Sequence, residues 1–384
     1  MLDYRLDPET EALRKTVQEF AREVVAPQIG EFYERDEFPT QIVRQMGELG
    51  LFGLPFPEEY GGGGGTYFDL CIALEELGRV DQSVAITLEA GVSLGAMPIY
   101  RFGTEEQKHE WLPRMCTGEV LGAFGLTEPG GGSDAGATRT TARLEDGHWV
   151  INGSKAFITN SGTELTGLVT VTAVTGTRPD GGKEISAIIV PSGTPGFTVG
   201  QRYSKVGWNA SDTRELSFDD CRVPEENLVG VRGRGYAQFL SILGEGRIAI
   251  SALSVGLAQG CVDESVKYAA QREAFGQPIG KNQAIQFMIA DMEVRAFTAR
   301  LAYYRAAEKM LRGEPFGREA SIAKLYSSEV AMDNARYATQ VHGGYGFMNE
   351  FPVGRFYRDA KILEIGEGTS EVQRMLIARD LGVG

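Results

Sequence analysis

Apolar residues in the first 120 positions recur at intervals of three and four, the period of an amphipathic helix. Three stripes of this kind are Leu13, Val17, Phe20 and Val24; Ile42, Met46 and Leu49; and Leu70, Leu74 and Leu77. Five consecutive glycines at 61–65 separate the second stripe from the third. They lack the Gly-Lys-Ser/Thr sequence of a P-loop, so we predict a connecting loop there. Residues 1–120 are therefore predicted to form a helical domain.

Between residues 121 and 230 the helical period is replaced by short runs of β-branched and apolar residues. The runs occupy positions 138–143, 148–151, 156–159, 168–174 and 185–190. Turn-forming clusters separate them, among them Glu-Asp-Gly and Pro-Asp-Gly-Gly. Short strands at this spacing, with no helices between them, predict an antiparallel sandwich or barrel.

Helical patterning returns after residue 230 in much longer segments. These segments are 236–271, 283–311 and 321–341, followed by a shorter one at 371–381. The first three are each long enough to belong to a four-helix bundle. We therefore predict a mainly α protein with a central β domain, divided into helical residues 1–120, β residues 121–230 and a helical bundle at 231–384.

The composition argues against several classes of function. Acidic residues outnumber basic ones by 52 to 38, a net charge of −14, whereas a nucleic-acid partner would require a clustered basic surface. Four cysteines lie far apart with no C-x-x-C pair and only three histidines in the chain, so we expect neither a zinc site nor disulfides. Reduced thiols, a charged N-terminus and no apolar run of about 18 to 20 residues predict a soluble, cytoplasmic protein without a membrane partner.

The residues Phe-Gly-Leu-Thr-Glu-Pro-Gly-Gly-Gly-Ser-Asp at 124–134 are the first candidate for a binding site. Their glycines expose backbone N–H groups that can approach a flat polar ligand or a pyrophosphate, although a plain turn would also use glycines. Gly130, Gly132 and Ala135 also fit the G-x-G-x-x-A pattern of a dinucleotide-binding fold. A Thr-rich strand follows them instead of a helix, and Lys155 stands near the position that requires an acid, so we reject that fold.

Six short motifs, in order along nearly the whole chain, resemble those of the acyl-CoA dehydrogenases. Besides 124–134 they are Phe-Ile-Thr-Asn at 157–160, Arg-x-x-Phe-Gly at 272–276, Gln-Val-His-Gly-Gly-Tyr-Gly at 340–346, Arg-Asp-Ala-Lys-Ile at 358–362 and Glu-Gly-Thr-Ser-Glu at 367–371. The resemblance implies the α–β–α fold of that family, an acyl-CoA substrate, and FAD held between the β domain and the C-terminal bundle.

The resemblance also implies which residues contact FAD. By motif position they are Phe124, Leu126, Thr127, Gly132, Ser133, Phe157, Thr159, Gln283, Thr369 and Glu371, with Arg272, Phe275, Gln340, Gly343 and Gly344 supplied by the neighbouring subunit. Such sharing implies an obligate dimer, commonly assembled as a dimer of dimers. Phe157 and Thr159 are two residues apart on a strand, share one face and would lie against the isoalloxazine, although Phe157 alone would fit ordinary strand packing.

Glu367 is the expected catalytic base. It stands between Gly366 and Gly368, just before a helix start signalled by Ser370 and Gln373 at capping-box spacing. A carboxylate between glycines is free to project into a cavity, although a solvated loop acid could have the same sequence. The resemblance implies that it removes the α-proton of the thioester while hydride passes from the β-carbon to flavin N5. That task requires a pKa raised by an apolar site.

The residues that the resemblance places beside CoA are Ser133, Arg247, Gly368 and Arg379. From the sequence alone, either arginine could equally be a surface charge. Some relatives carry their base on the helix immediately before the first arginine; that position is Gly246 here, and Glu245, about 100° away around the helix, is a second candidate. Many relatives have Tyr before the base, whereas Gly366 here favours a short or branched acyl group.

The expected function is FAD-dependent α,β-dehydrogenation of a short- or branched-chain acyl-CoA to the trans-2-enoyl-CoA, in fatty acid β-oxidation or branched-chain amino acid degradation. We expect a homotetramer that passes electrons to an electron-transferring flavoprotein and holds no metal. One alternative is an acyl-CoA oxidase, which the length of 384 residues disfavours. The other is a catalytically silent flavin-binding relative, which Glu367 and the net charge of −14 disfavour.

Overall fold

The computed structural model describes residues 5–383. The first part of this range forms a layer of helices. The α-helices before the first strand are Pro8–Phe20 (α1), Ile29–Glu34 (α2), Thr40–Glu48 (α3), Tyr67–Gly78 (α4), Gln82–Glu89 (α5), Met97–Phe102 (α6) and Glu105–Cys116 (α7). The three apolar stripes centre on α1, α3 and α4. The run of glycines forms the predicted loop, and a Cβ at Gly62 would lie 2.1 Å from the carbonyl oxygen of Phe56. Backbone packs directly on backbone there, which only glycine permits.

One eight-stranded sheet follows the first helical layer. Its strands are Leu121–Gly125 (β1), Thr141–Glu145 (β2), His148–Thr159 (β3), Thr166–Thr177 (β4), Lys183–Pro191 (β5), Phe197–Arg202 (β6), Thr213–Pro224 (β7) and Leu228–Val229 (β8). The hydrogen-bonded order is β6-β7-β3-β2-β4-β5-β8, with β1 also paired to β4. Apolar side chains of these strands enclose a core of their own, separate from the core that the helices share.

The expectation of a purely antiparallel sheet was wrong. β1 runs parallel to β4, and β2 touches β4 in parallel at Thr141 and Val174. The β2–β3 hairpin lies between β1 and β4 along the chain. The chain passes through this hairpin before it enters β4, and it then runs in the same direction as β1. The runs at 148–151 and 156–159 are halves of β3, whose pairing with β7 shifts register twice. Such bulges interrupt the alternation that marks a single strand in sequence.

The C-terminal region is a bundle of long helices. They are Gly235–Gln271 (α8), Gln283–Leu311 (α9), Gly317–His342 (α10), Pro352–Leu363 (α11) and Ser370–Asp380 (α12), with a short hairpin of Glu273–Ala274 (β9) and Gln277–Pro278 (β10) after α8. α8 packs against α9, α10 and α4, and so joins the bundle to the first helical layer. A Cβ at Gly256 of α8 would lie 2.3 Å from the carbonyl oxygen of Glu75 in α4, which shows how closely the two backbones approach.

Within residues 5–383, two helical segments have the length and hydropathy of a membrane span, contrary to the expectation that no apolar run is that long. They are Gln82–Phe102 and Gly235–Gln271. In the most apolar window of each, 89% and 67% of the residues are buried inside the protein. Burial of this kind is what the core helices of a large helical protein require.

Candidate active site

Glu367 lies in the turn between α11 and α12, with its carboxylate directed into the protein. Its φ is +53° and that of Gly368 is +95°, so the chain makes a left-handed turn at the candidate base. Both carboxylate oxygens are buried, and no N–H, alcohol or phenol group in the described part of the chain donates to them. A Cβ at Gly246 of α8 would lie 2.5 Å from Glu367 Oε2. The structure therefore places this side chain against α8 and excludes a solvated loop acid.

The environment of Glu367 favours a carboxyl group that can both take and release a proton near neutral pH. Burial raises its pKa to about 7, opposed by a hydrogen bond with Glu89 and by the positive charges of Lys324 and Arg247. Burial is the dominant cause because desolvation disfavours the charged form of a carboxyl group. The pKa thus lies where the sequence-based hypothesis requires it.

Glu89 is a member of the site that the sequence did not reveal. It ends α5, directly before a π-helical segment at Ala90–Ala96, and both of its oxygens are buried without a donor. Burial raises its pKa well above the ordinary range, and the neighbouring Glu367 raises it further. Two carboxylates have no hydrogen to share, so the pair can bond only when one is protonated. Glu89 is that member, because Lys324 and Arg247 stabilise the negative charge on Glu367.

Glu245, the second candidate for the base, is directed elsewhere. Its Oε2 lies 3.0 Å from a guanidinium nitrogen of Arg101 in α6, and its side chain is 16% exposed. Gly246, the neighbouring residue, is the one that contacts the Glu367 carboxylate. The helix position where some relatives carry their base therefore faces the same point in space as Glu367.

Arg247 and Arg379, both expected beside CoA, line one cavity of about 490 Å³. Lys309 and Arg318 line the same cavity, together with the acids Glu319 and Asp380. The Arg247 Nε is buried without an acceptor, and burial lowers the pKa of this guanidinium. Arg247 is thus not a plain surface charge, whereas Arg379 is exposed at the border of the cavity. The cavity offers an anionic ligand several cations, one of them without a hydrogen-bond acceptor at Nε.

The turn at Gly368 is held by two donors. Lys324 Nζ of α10 donates to the Gly368 carbonyl at 2.8 Å, and Gln373 Nε2 of α12 donates to it at 2.9 Å. The predicted capping box of Ser370 and Gln373 was wrong. Thr369 is the N-cap of α12, accepting from the Val372 N–H at 3.2 Å, because Gln373 instead turns back to the Gly368 carbonyl. Among the remaining expected cofactor contacts, Glu371 is exposed in the first turn of this helix.

The loop at 124–134 is fixed by an ion pair and is otherwise open. Glu128 accepts from the backbone N–H groups of Arg139 and Thr140, at 2.7 and 3.0 Å, and from the buried Lys155 Nζ at 2.8 Å. No atom lies within 4 Å of a Cβ added at Gly130 or Gly132. Such an anchored loop with unobstructed glycines can approach a ligand closely.

The other residues expected to line FAD within one subunit lie around this loop and on β3. Ser133 is exposed, Thr127 is partly buried, Leu126 belongs to the helical core, and Phe124 stacks on Phe239 of α8 at 3.9 Å between ring centres. They therefore lie where the sheet meets the bundle.

Phe157 departs from ordinary strand packing. It is 65% exposed with a φ of +61°, and its ring lies 5.3 Å from that of Tyr203, while Thr159 is partly buried at the end of β3. Nearby in sequence to Tyr203, the indole nitrogen of Trp208 is buried without an acceptor. An exposed aromatic wall next to an open glycine loop fits a flat aromatic cofactor such as a flavin.

The residues expected from the neighbouring subunit gather at the far end of the bundle. They are Arg272, Phe275, Gln340, Gly343 and Gly344, at the β9–β10 hairpin and the end of α10. Gln283, which was not expected from the neighbouring subunit, begins α9 directly after that hairpin. Phe275 is fully exposed at a φ of +54°, and no atom lies within 4 Å of a Cβ at Gly343 or Gly344. From Gly246 to Gln271 the rise along α8 is about 38 Å. This group therefore cannot contact a cofactor beside Glu367 of the same chain.

Among residues 5–383 no group of three or more His, Cys, Asp or Glu side chains is arranged to hold a metal ion. All four cysteines are buried free thiols.

A helical layer, a mixed sheet and a helical bundle that meet at a buried carboxylate and an exposed aromatic wall define a flavin-dependent dehydrogenase. The chain belongs to the acyl-CoA dehydrogenase family. Its residues 7–119 match the acyl-CoA dehydrogenase N-terminal domain, 123–221 the middle domain and 233–382 the C-terminal domain. Members of this family are FAD-binding flavoproteins, so FAD is the cofactor and the protein is an oxidoreductase.

Similar proteins cover the chain from end to end. A probable acyl-CoA dehydrogenase of Bacillus subtilis is 48% identical over 99% of this chain and 100% of its own length. The structure of butyryl-CoA dehydrogenase from Megasphaera elsdenii superimposes with a TM-score of 0.95 at 41% identity, over 99% and 100% of the two chains. A chain described as an electron transferring flavoprotein of Acidaminococcus fermentans gives 0.95 at 42%, over 99% of each. The predicted family and fold class are confirmed.

Proposed function

We propose that this enzyme removes hydrogen across the Cα–Cβ bond of a short- or branched-chain acyl-CoA and releases the trans-2-enoyl-CoA, with Glu367 as the base. The observation that carries the proposal is the buried Glu367 carboxylate against α8, with a pKa of about 7. A carboxyl group with this pKa can take a proton from Cα and hold it at neutral pH, whereas a solvated one, with a pKa of about 4, holds it poorly. FAD, when bound, supplies the acceptor for the hydride that leaves Cβ.

Removal of the α-proton places negative charge on the thioester oxygen, which requires oriented donors. The backbone N–H of Glu367 donates to no protein acceptor in the described part of the chain. It is therefore free to bond the thioester oxygen. Such a bond would orient the substrate with its α-proton towards the carboxylate of the same residue.

The cavity lined by Arg247 and Arg379 supports the binding of the CoA moiety. CoA is an anionic ligand, and two further cations, Lys309 and Arg318, border the same space. Gly368, adjacent to the base, and Ser133, exposed on the glycine loop, remain proposed substrate contacts. Gly366 presents no ring beside the base, which favours a short or branched acyl group, and the butyryl-CoA dehydrogenase of M. elsdenii is a similar protein.

We propose that two subunits form a dimer that holds two FAD molecules, and that two such dimers form a tetramer. Phe275 and the other residues expected from the neighbouring subunit lie too far from Glu367 of their own chain. They would complete the cofactor site of the partner subunit. Phe287, Val294 and Phe297 of α9 are 60%, 63% and 54% exposed, and this apolar stripe supports contact between bundles. The four buried thiols support a cytoplasmic location. The remaining partner is an electron-transferring flavoprotein, proposed from the similar A. fermentans chain so described.

The proposal is tested by adding a panel of acyl-CoA thioesters to the FAD-loaded enzyme without oxygen and following the flavin absorbance. We expect butyryl-CoA or isovaleryl-CoA to bleach the flavin, and longer straight chains to do so more slowly. Air should re-oxidise the reduced enzyme slowly, and an electron-transferring flavoprotein should do so quickly. Bleaching by none of the thioesters would contradict the proposal, and rapid re-oxidation by air would indicate an oxidase.

A further inference from the structure

The backbone at the proposed base is held in a conformation that L-residues avoid. Glu367 and the residue after it both have positive φ values, and a glutamate persists in the left-handed region only where its surroundings hold it there. The direction of the Glu367 carboxylate depends on this turn. Whatever holds the turn therefore determines where the base points.

Outside the two helices that flank the turn, Lys324 is the one residue in the described part of the chain that hydrogen-bonds the backbone of this turn. It lies on α10, its side chain is fully buried, and its Nζ donates to the Gly368 carbonyl at 2.8 Å. Gln373, from α12, bonds the same oxygen at 2.9 Å, but it is neutral and belongs to the segment that the turn itself begins. Lys324 thus connects the turn to the rigid bundle.

The Lys324 ammonium also acts on Glu367 through its charge. Among residues 5–383 no carboxylate lies within 4 Å of Lys324 Nζ, so no close ion pair neutralises it. The charged groups that act on Glu367 come from three elements: Glu89 of α5, Arg247 of α8 and Lys324 of α10. Glu364 and Glu371, which flank the turn, act on Lys324. Burial lowers the pKa of Lys324 to about 8, which leaves it mainly charged at neutral pH.

We propose that Lys324 is the positioning residue for Glu367: its buried ammonium holds the left-handed turn through the Gly368 carbonyl and supplies positive charge that keeps the base ionised. The inference rests on the proposed function in which Glu367 is the base. It assigns to Lys324 no contact with substrate or with FAD.

Three variants of the FAD-loaded enzyme separate the charge from the hydrogen bond. Lys324→Met removes both in a side chain of similar length, Lys324→Gln removes the charge and keeps an amide donor, and Gln373→Met removes a neutral donor to the same carbonyl. Two pH titrations are measured for each: kcat/KM with butyryl-CoA, which reports the free enzyme, and the infrared carboxyl band of the resting enzyme. The Glu367→Gln variant, which lacks the band of Glu367, assigns it.

In both Lys324 variants the midpoint of the Glu367 titration should move upward by about one pH unit. The midpoint of the increase of kcat/KM with pH should move by the same amount. A shift from about 7 to about 8 lowers the ionised fraction at pH 7 roughly fivefold. Gln373→Met should slow the reaction without moving either midpoint. Wild-type midpoints in a folded, FAD-containing Lys324 variant, or an equal shift in Gln373→Met, would overturn the proposal; if Lys324→Met does not fold, Lys324→Gln decides.

The infrared titration separates this inference from the proposed function. If Glu367→Gln reduced its flavin at the wild-type rate, Glu367 would not be the base. The infrared midpoints would still show whether the Lys324 charge acts on Glu367.

Discussion

A single methyl group on α8 should slow the reaction while leaving the fold intact. In Gly246→Ala the new Cβ would lie 2.5 Å from Glu367 Oε2, whereas an ordinary contact begins at about 3.4 Å. The carboxylate must therefore withdraw by about 0.9 Å. A misplacement of about 1 Å in a catalytic group costs on the order of 100-fold in rate. Replacing glycine by alanine inside a helix, by contrast, stabilises it by about 1 kcal/mol before any strain is counted.

Gly244→Ala is the matched control, because it lies on the same helix and its new Cβ would approach nothing closer than Phe316 at 4.0 Å. The assay is anaerobic stopped-flow reduction of the flavin by butyryl-CoA, with thermal unfolding measured on the same samples. We expect Gly246→Ala to bind FAD, to unfold no earlier than about 2 °C below wild type, and to reduce its flavin about 100-fold more slowly. Gly244→Ala should reduce at the wild-type rate. Equal rates in both variants would refute the placement of the carboxylate against α8.

Three further outcomes are expected. Glu89→Met removes the proton donor that faces Glu367, so the increase of kcat/KM with pH should occur at a higher pH than in the wild type. Glu89→Gln retains a hydrogen-bond donor, so its pH profile should match that of the wild type. Burial raises the pKa of Asp359 to about 7, so the contribution of this group to the stability of the wild type falls as pH rises from about 4 to 7. The urea midpoint of unfolding should therefore fall with pH in the wild type, and this fall should be absent from Asp359→Asn. Lys155→Met leaves the buried Glu128 carboxylate unpaired, costing about 3–5 kcal/mol of unfolding free energy.

The long helices could be predicted because their sequences mark both ends and the interior. The segment predicted at 283–311 is α9, and 236–271 differs from α8 by one residue. The sheet was harder, since its pairing joins residues far apart in the chain. Phe124 pairs with Thr170 in a parallel register that neither segment encodes alone, and the bulges of β3 broke one strand into two apparent runs.

The candidate base could be named from its motif, but its surroundings could not. The burial of Glu367 comes from Gly246 on α8 and Glu89 on α5, which only the tertiary fold brings to it. Lys324 stands in an ordinary helical sequence that gives no sign of its role. Glu89 stands in an apolar helix, and an acid inside the apolar stretch Ile-Thr-Leu-Glu-Ala-Gly-Val is the sequence feature that could have indicated it. A charge that the fold buries is evident only when its neighbours are known.

The most direct test of the central claim is the flavin half-reaction of Glu367→Gln with butyryl-CoA in the absence of oxygen. Glutamine keeps the shape of the side chain and cannot accept the α-proton, so FAD and butyryl-CoA should bind while the flavin bleaches at least about 1,000-fold more slowly than in the wild type. Bleaching within a few-fold of the wild-type rate would show that another group removes the proton, and the account of this site would be wrong.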